Sequence, residues 1–203
     1  MITTLIFDLS EVLIAGLIGI EKPLAEKLGI PEEVVLSAFG GKLLEDICRG
    51  KISEQHYLTT IREQQGWDIP IHALKTLIRN NLRRHIPGMV DVLQQLKPQC
   101  ELVLLSDHAL EWVEHIHSIH SFLEAFDAQI FSFEIGKIKK EPATFHSLLT
   151  MIDRNPEECL LIDDNPRNIR TAISTGIAGI LFKNATQLIE KLNEYGYSIA
   201  DHA

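Results

Sequence analysis

The sequence predicts an α/β fold: a doubly wound, Rossmann-like parallel-sheet core over residues 1–14 and 86–203, interrupted by an all-helical insert over 15–85. Three observations predict it. Short apolar runs recur from residue 101 onward with a helical stretch between each pair, the pattern of parallel strands covered on both faces. A run of the same character, TLIF, stands alone near the start of the chain. Between the two, residues 21–85 read as helix throughout, and no strand is expected there.

TLIF (4–7) is the first strand, and it runs into Asp8, Ser10 and Glu11. In the insert, a helix over 23–28 closes at Gly29, and Pro31 opens EEVVLSAF, which ends at Gly40-Gly41. LLEDICRG follows, then Ser53 caps EQHYLTTIREQQG, and Pro70 begins IHALKTLIRNNL. Proline in the first turn and glycine past the last are the punctuation helices use. Beyond 86 the order is GMVDVLQQL as helix, ELVLLS (101–106) as strand, then a helix over 110–126 and AQIFSF (128–133) as strand. PATFHSLLTMI then gives a helix, CLLID (159–163) a strand, PRNIRTAISTG a helix and IAGILF (177–182) the last strand.

With 203 residues the chain can bury one full core and a small subdomain, and 45% hydrophobic with 23% charged residues is ordinary for a globular protein. A formal net charge of −9 argues against nucleic acid and anionic membranes as main partners, though not against a small phosphorylated ligand held by local positive charge. Cys48, Cys100 and Cys159 are far apart and lack metal-ligand spacing, so they are expected to be reduced core residues. The apolar run Val12 to Ile20 is far too short to span a bilayer, and the N-terminus has no signal-peptide pattern. The expectation is a soluble, cytoplasmic protein, monomeric or homodimeric.

Three strands end in polar residues: the first at Asp8, ELVLL at Ser106-Asp107, and CLLI at Asp163-Asp164-Asn165. Functional groups in open parallel sheets gather at the carboxyl ends of strands, so these groups are expected to converge. The basic loop GKIKKEP (136–142) belongs with them. Such an inventory suits phosphoryl transfer. Carboxylates can hold a hard cation such as Mg²⁺, one left free can attack phosphorus, and a hydroxyl, backbone N–H groups and a lysine can bind the charged equatorial oxygens.

In these residues the chain resembles the haloacid dehalogenase-like hydrolase superfamily, over essentially its whole length. FDLSEVL is similar to that family's first motif, which implies Asp8 as nucleophile. LLSD resembles the second, implying Ser106 and the N–H of Asp107 as phosphate ligands. The third, usually Lys-Pro-Asp-Pro, reads Lys139-Lys140-Glu141-Pro142 here and assigns the catalytic, phosphate-binding lysine to Lys139. IDDN resembles the fourth: Asp164 is implied as a direct metal ligand and Asp163 as a ligand directly or through water, alongside Asp8 and the Ser10 carbonyl. The insert is similar to the helical cap that selects substrates. The resemblance implies a Mg²⁺-dependent phosphatase of a small phosphorylated metabolite, acting through an aspartyl-phosphate. A phospho-ligand-binding relative without turnover is the alternative, and a metal-independent dehalogenase a more distant one.

One position departs. Phosphatases of this superfamily usually carry a second aspartate two residues after the nucleophile, as general acid and base; here that residue is Ser10. A hydroxyl does not titrate near neutrality, and general acid–base help is worth about 10²–10⁴ in rate. The expectation is therefore a slow or leaving-group-selective enzyme. Glu11, one residue on, is a candidate stand-in for that aspartate. Strand geometry points it to the other side, an objection the following turn weakens, and the expectation is a surface or hinge role. His115, His117 and His120 are expected on a solvated helix face, and His108, directly after Ser106-Asp107, at the cleft mouth as a substrate contact. Trp67 and Trp112 are expected to pack, Arg49, Arg62, Arg83 and Arg84 are candidates for a substrate's remote end, and Asn165 and Asn168 are expected to cap a helix or order the carboxylates.

Overall fold

In the computed structural model, which describes residues 1–200, five strands form one all-parallel sheet. The strands are β1 (Thr4–Phe7), β2 (Glu101–Ser106), β3 (Ala128–Phe131), β4 (Cys159–Asp163) and β5 (Ala178–Leu181), in the spatial order β3-β2-β1-β4-β5. β1 is therefore central, and the chain builds to one side of it before crossing to the other. Successive strand residues point to opposite faces. Leu5, Phe7, Leu102, Leu104, Leu160 and Ile162 enter one buried cluster, while Ile6, Val103, Leu105 and Leu161 enter a second.

Helices cover both faces. In chain order they are α1 (Glu21–Leu28), α2 (Glu32–Phe39), α3 (Gly41–Cys48), α4 (Glu54–Gln65), α5 (Ile71–Leu82), α6 (Met89–Leu96), α7 (Leu110–Ile119), α8 (Ser132–Ile135), α9 (Pro142–Ile152), α10 (Pro166–Ser174) and α11 (Ala185–Glu194). The second cluster is closed by α9 and α10, through residues such as Phe145, Leu148, Ile169 and Ala172. The first is closed by α6, α7 and α11 and runs without a break into α1–α5, reaching Val35, Phe39, Tyr57 and Ile78. Its aromatic members meet edge to face, Tyr57 against both Phe39 and Trp112.

The helical segment leaves and re-enters the sheet region at one place. Ala15 N–H donates to the Arg84 carbonyl (2.8 Å), Ile86 N–H donates to the Leu13 carbonyl (2.9 Å), and Ile14 bridges His85 antiparallel. Ser53 Oγ caps α4 by accepting from His56 N–H (3.2 Å), and Gly29 and Gly66 end α1 and α4 in the left-handed conformation, as their spacing predicts.

Four details differ from the sequence reading. The third strand stops at Phe131 because Ser132 starts α8, its buried hydroxyl donating to the Cys48 carbonyl (2.5 Å) and accepting from His108 N–H (3.1 Å). The helix expected over 110–126 ends at Ile119, and a 3-10 turn covers Ser121–Ala125. His120, at the break, is buried rather than solvated: its ring bonds His85 (2.8 Å) and the Leu82 carbonyl (2.7 Å), fastening the end of α5 to α7. Finally, α11 lies in a stretch for which no element was expected. Asn184 caps it and Leu188, Ile189 and Leu192 bury its apolar face.

Candidate active site

The site forms where β2, β1 and β4 end side by side. Asp8 follows β1 directly, Ser106 closes β2, and Asp163 closes β4. Lys139 arrives from the loop between α8 and α9, a loop that opens where Gly136 takes positive φ at the end of α8. The lysine is fully buried, and its Nζ lies 2.6 Å from Asp8 Oδ2 and 2.7 Å from Asp163 Oδ2. Asp8 Oδ1 accepts from Leu9 N–H (2.6 Å).

Asp163 is held by three donors: Lys139, Asn165 N–H (2.9 Å to Oδ1) and the Asn168 amide (3.1 Å to each oxygen). Asn165 Oδ1 in turn caps α10 by accepting from Arg167 N–H (2.9 Å). Both expectations for the asparagines thus hold, one as cap and one as an anchor for the carboxylate. Asp164 instead lines a cavity of about 350 Å³ with Asp8, Ser10, Asp107, His108 and Lys139.

Charge is concentrated here. Asp8, Asp163 and Asp164 each bring a carboxylate oxygen within 4.8 Å of the others. Burial pushes Asp8 well above the usual carboxylate range; Lys139 pulls it back, while Asp163 and Asp164 push it further up. Burial and then Asp163 also raise Asp164. Burial alone would lower Lys139, yet Asp163, Asp8 and Asp107 together raise it, so it stays charged. One lysine thus faces three clustered carboxylates, with Asp107 a fourth nearby. The donor set is hard oxygen with an excess of negative charge, which fits a divalent cation such as Mg²⁺. The Ser10 carbonyl accepts no hydrogen bond among the described residues and is a further oxygen ligand on hand.

The second-motif residues are arranged otherwise than their motif alone implies. The Asp107 carboxylate accepts from Lys139 N–H (3.0 and 3.2 Å) and so fixes the lysine's loop; burial lifts its pKa to about 6. Ser106 is fully buried and off the cavity wall, its Oγ 2.7 Å from His108 Nδ1. His108 does reach the cavity, and its other ring nitrogen lies 3.1 Å from Ser10 Oγ. Burial and the Lys139 charge hold this imidazole neutral, with its pKa down to about 3.

Ser10 is backed by Gly16: a Cβ on Gly16 would lie 2.7 Å from Ser10 Oγ, so only glycine fits. Glu11 has φ 59°, and its Oε1 accepts from Gly16 N–H (2.7 Å), tying off the turn that leaves the strand. It lines the cavity while spending one oxygen on that structural bond.

The rest of the wall combines an apolar part, Leu17, Leu44, Cys48, Leu82, Trp112 and Ile138, with the charged Glu45 and Lys140. Trp112 both packs and faces the cavity. Of the arginines singled out in the sequence none lines it. Arg49 is bound by two bonds to Glu141 (2.6 and 2.9 Å), and Arg84 bonds Asn81 (3.0 Å). Arg167 stands at the wall instead, a residue that sequence reasoning passed over; its place two residues after Asn165, in the first turn of α10, was the available signal.

A model of the haloacid dehalogenase-like hydrolase family matches residues 2–176. An enzyme of that family from Bacteroides thetaiotaomicron, solved with magnesium and inorganic phosphate, superposes with a TM-score of 0.76 at 21% identity, over 91% of this chain and 96% of its own. A predicted haloacid dehalogenase-like hydrolase from Porphyromonas gingivalis gives 0.75 at 23% identity, over 98% and 100%. Among curated proteins, the chloroplast flavin mononucleotide hydrolase 1 of Arabidopsis thaliana is 26% identical over 136 residues, 66% of this chain. The chain spans 55% of that relative's length.

Proposed function

The chain belongs to the haloacid dehalogenase-like hydrolases, and from that premise we propose that it is a Mg²⁺-dependent phosphatase of a small phosphorylated metabolite. In this reading residues 15–85 are its cap. The observation that carries it is Lys139, buried between Asp8 and Asp163 with Asp164 on the cavity wall beside them.

Asp8 is the nucleophile. Its Oδ attacks phosphorus, the bond to the leaving oxygen breaks, and water later releases phosphate from the aspartyl phosphate. Lys139 holds the transferred group and offsets its charge. Asp8, the Ser10 carbonyl and Asp164 would hold Mg²⁺, with Asp163 acting directly or through water. The ion, when bound, supplies positive charge against the phosphoryl oxygens and keeps Asp8 ionised. The Asp107 N–H supplies a phosphate contact that the motif implies, while Ser106, off the cavity wall, is engaged by His108 instead. The apolar part of the wall, Trp112 included, suits an apolar portion of the substrate, beside the charged Glu45, Lys140 and Arg167. Three free cysteines, two of them buried, suit a reducing compartment such as the cytoplasm.

Ser10 gives specific support to a second reading, a protein that binds a phosphorylated ligand without turning it over. The dehalogenase reading loses ground because Arg49 is tied to Glu141 and is unavailable to a haloacid carboxylate. A panel of phosphate esters, with Mg²⁺ and with chelator, beside Asp8→Asn, separates these readings. The phosphatase reading expects Mg²⁺-dependent phosphate release that falls by at least about 10³ in the variant. Ester binding with no release, in wild type and variant alike, favours the binding protein.

A further inference from the structure

Ser10, His108 and Ser106 form a chain of two hydrogen bonds, and their lengths assign its direction. The Ser106 Oγ–Nδ1 separation is 2.7 Å, short as bonds from hydroxyl donors are; the Nε2–Ser10 Oγ separation is 3.1 Å, as bonds from N–H donors are. These lengths match the tautomer in which Ser106 donates to a bare Nδ1 and Nε2–H donates to Ser10 Oγ. A neutral ring carries one proton, so both assignments follow together. The proton of Ser10 is then left free, and Ser10 lines the cavity beside Asp8. Gly16, also on the cavity wall, leaves the hydroxyl room that any larger residue would take.

We propose that Ser10 donates this hydroxyl as a neutral hydrogen bond to the leaving oxygen, and that His108 is the positioning residue that turns it there. The proposal rests on the phosphatase reading above. In the step concerned, Asp8 Oδ forms its bond to phosphorus and the P–O bond to the leaving group breaks. The electron pair goes to the leaving oxygen, which departs as an anion hydrogen-bonded to Ser10 and takes its proton from solvent. No proton leaves Ser10 and His108 stays uncharged throughout. Such a donor stabilises developing charge without neutralising it, and it matters most where the departing oxygen is most basic. The substrate class this selects is phosphates whose leaving group departs as a stable anion: acyl, aryl, enol or anomeric phosphates.

Two measurements test it. The first needs no turnover: ring-nitrogen NMR of His108 in the full chain should show Nε2 protonated and Nδ1 bare. A protonated Nδ1 overturns the assignment. The second is kinetic, with alkyl and aryl phosphates. Ser10→Ala should lose about tenfold or more in kcat on alkyl esters, with KM unchanged and little loss on aryl esters. His108→Asn keeps an amide near Nδ1 but nothing at Nε2, and should share that loss. His108→Gln restores a donor at the Nε2 position and should recover most of it. The Ser10→Ala/His108→Asn double variant should be no slower than Ser10→Ala, because His108 acts through Ser10. Multiplying losses in the double variant, or equal losses on both ester classes, overturn the role. Failure of the wild type to release phosphate from any ester, with the Nε2–H form present, sinks the phosphatase reading and the role with it while the hydroxyl direction stands.

Discussion

His108 is an imidazole that the fold keeps uncharged. An imidazole in water binds a proton near pH 6.5, whereas this one is held down to about 3 by burial and by Lys139. Its folded pKa is depressed, so as pH falls through 6.5 the unfolded chain gains a proton that the folded chain refuses, and stability falls. Asp107, lifted to about 6 by burial, works oppositely, since between pH 6 and 4 the folded chain holds its proton more tightly. His108→Gln isolates the first effect. Between pH 6 and 5 wild type should lose about 1 kcal/mol more stability than the variant, measured by urea unfolding at each pH. Parallel losses would mean the ring is protonated in the folded protein. The sequence placed His108 near the cleft from adjacency to Ser106-Asp107, but its link to Ser10 spans 98 positions and has no local pattern. The carboxylates and Lys139 were legible because each ends a strand or sits in a loop at the same edge of the sheet.

At the scale of elements, α3 grips the loop that carries the lysine. Arg49 bonds Glu141 twice and the Gly136 carbonyl (3.2 Å), while Lys140 pairs with Glu45, so Lys139 is flanked by residues held from α3. Cys48, at the end of α3, adds a bond from its Sγ to the Asp107 carbonyl (3.6 Å). Glu141 stands where the third motif usually has aspartate, and its two hydrogen bonds to Arg49 give the departure a structural use. Both side chains are partly exposed, which limits the gain. A double-mutant cycle on Arg49→Ala and Glu141→Ala should give a coupling of about 1 kcal/mol; strict additivity would show that the pair does not latch. Elements announced by strong local signals matched the sequence, as with Pro70 ahead of α5 and Gly66 after α4. Those shaped by distant partners did not. His120 ends α7 because Leu82 and His85 claim its ring, and Ser132 ends β3 in favour of contacts to Cys48 and His108.

Across the whole molecule, the helical segment and the sheet share one buried cluster and one buried ion group. Glu54, only 1% exposed, accepts from Arg79 (2.5 and 2.9 Å) and from Trp112 Nε1–H (2.8 Å), joining α4 and α5 to α7. Glu54→Ala would leave these donors without an acceptor and should cost about 3 kcal/mol. It should also lower tryptophan fluorescence and far-UV circular dichroism midpoints together, in one transition. Two separate transitions would mean that the segment unfolds independently. Sequence reading drew a boundary for this segment where composition changes, but it missed the fusion to the sheet, since a shared core leaves no mark on either side of a boundary.

The central place of β1 has a consequence for synthesis. Its partners, β2 and β4, lie about a hundred and about a hundred and fifty residues downstream. As the chain emerges from the ribosome, β1 has nothing to pair with while all of α1–α5 is being made. Those helices form from local contacts and can condense first, whereas the strand bearing Asp8 waits with its backbone unpaired. Asp8 thus waits on a strand whose last neighbour is still to come, and is among the last site residues to be set in place.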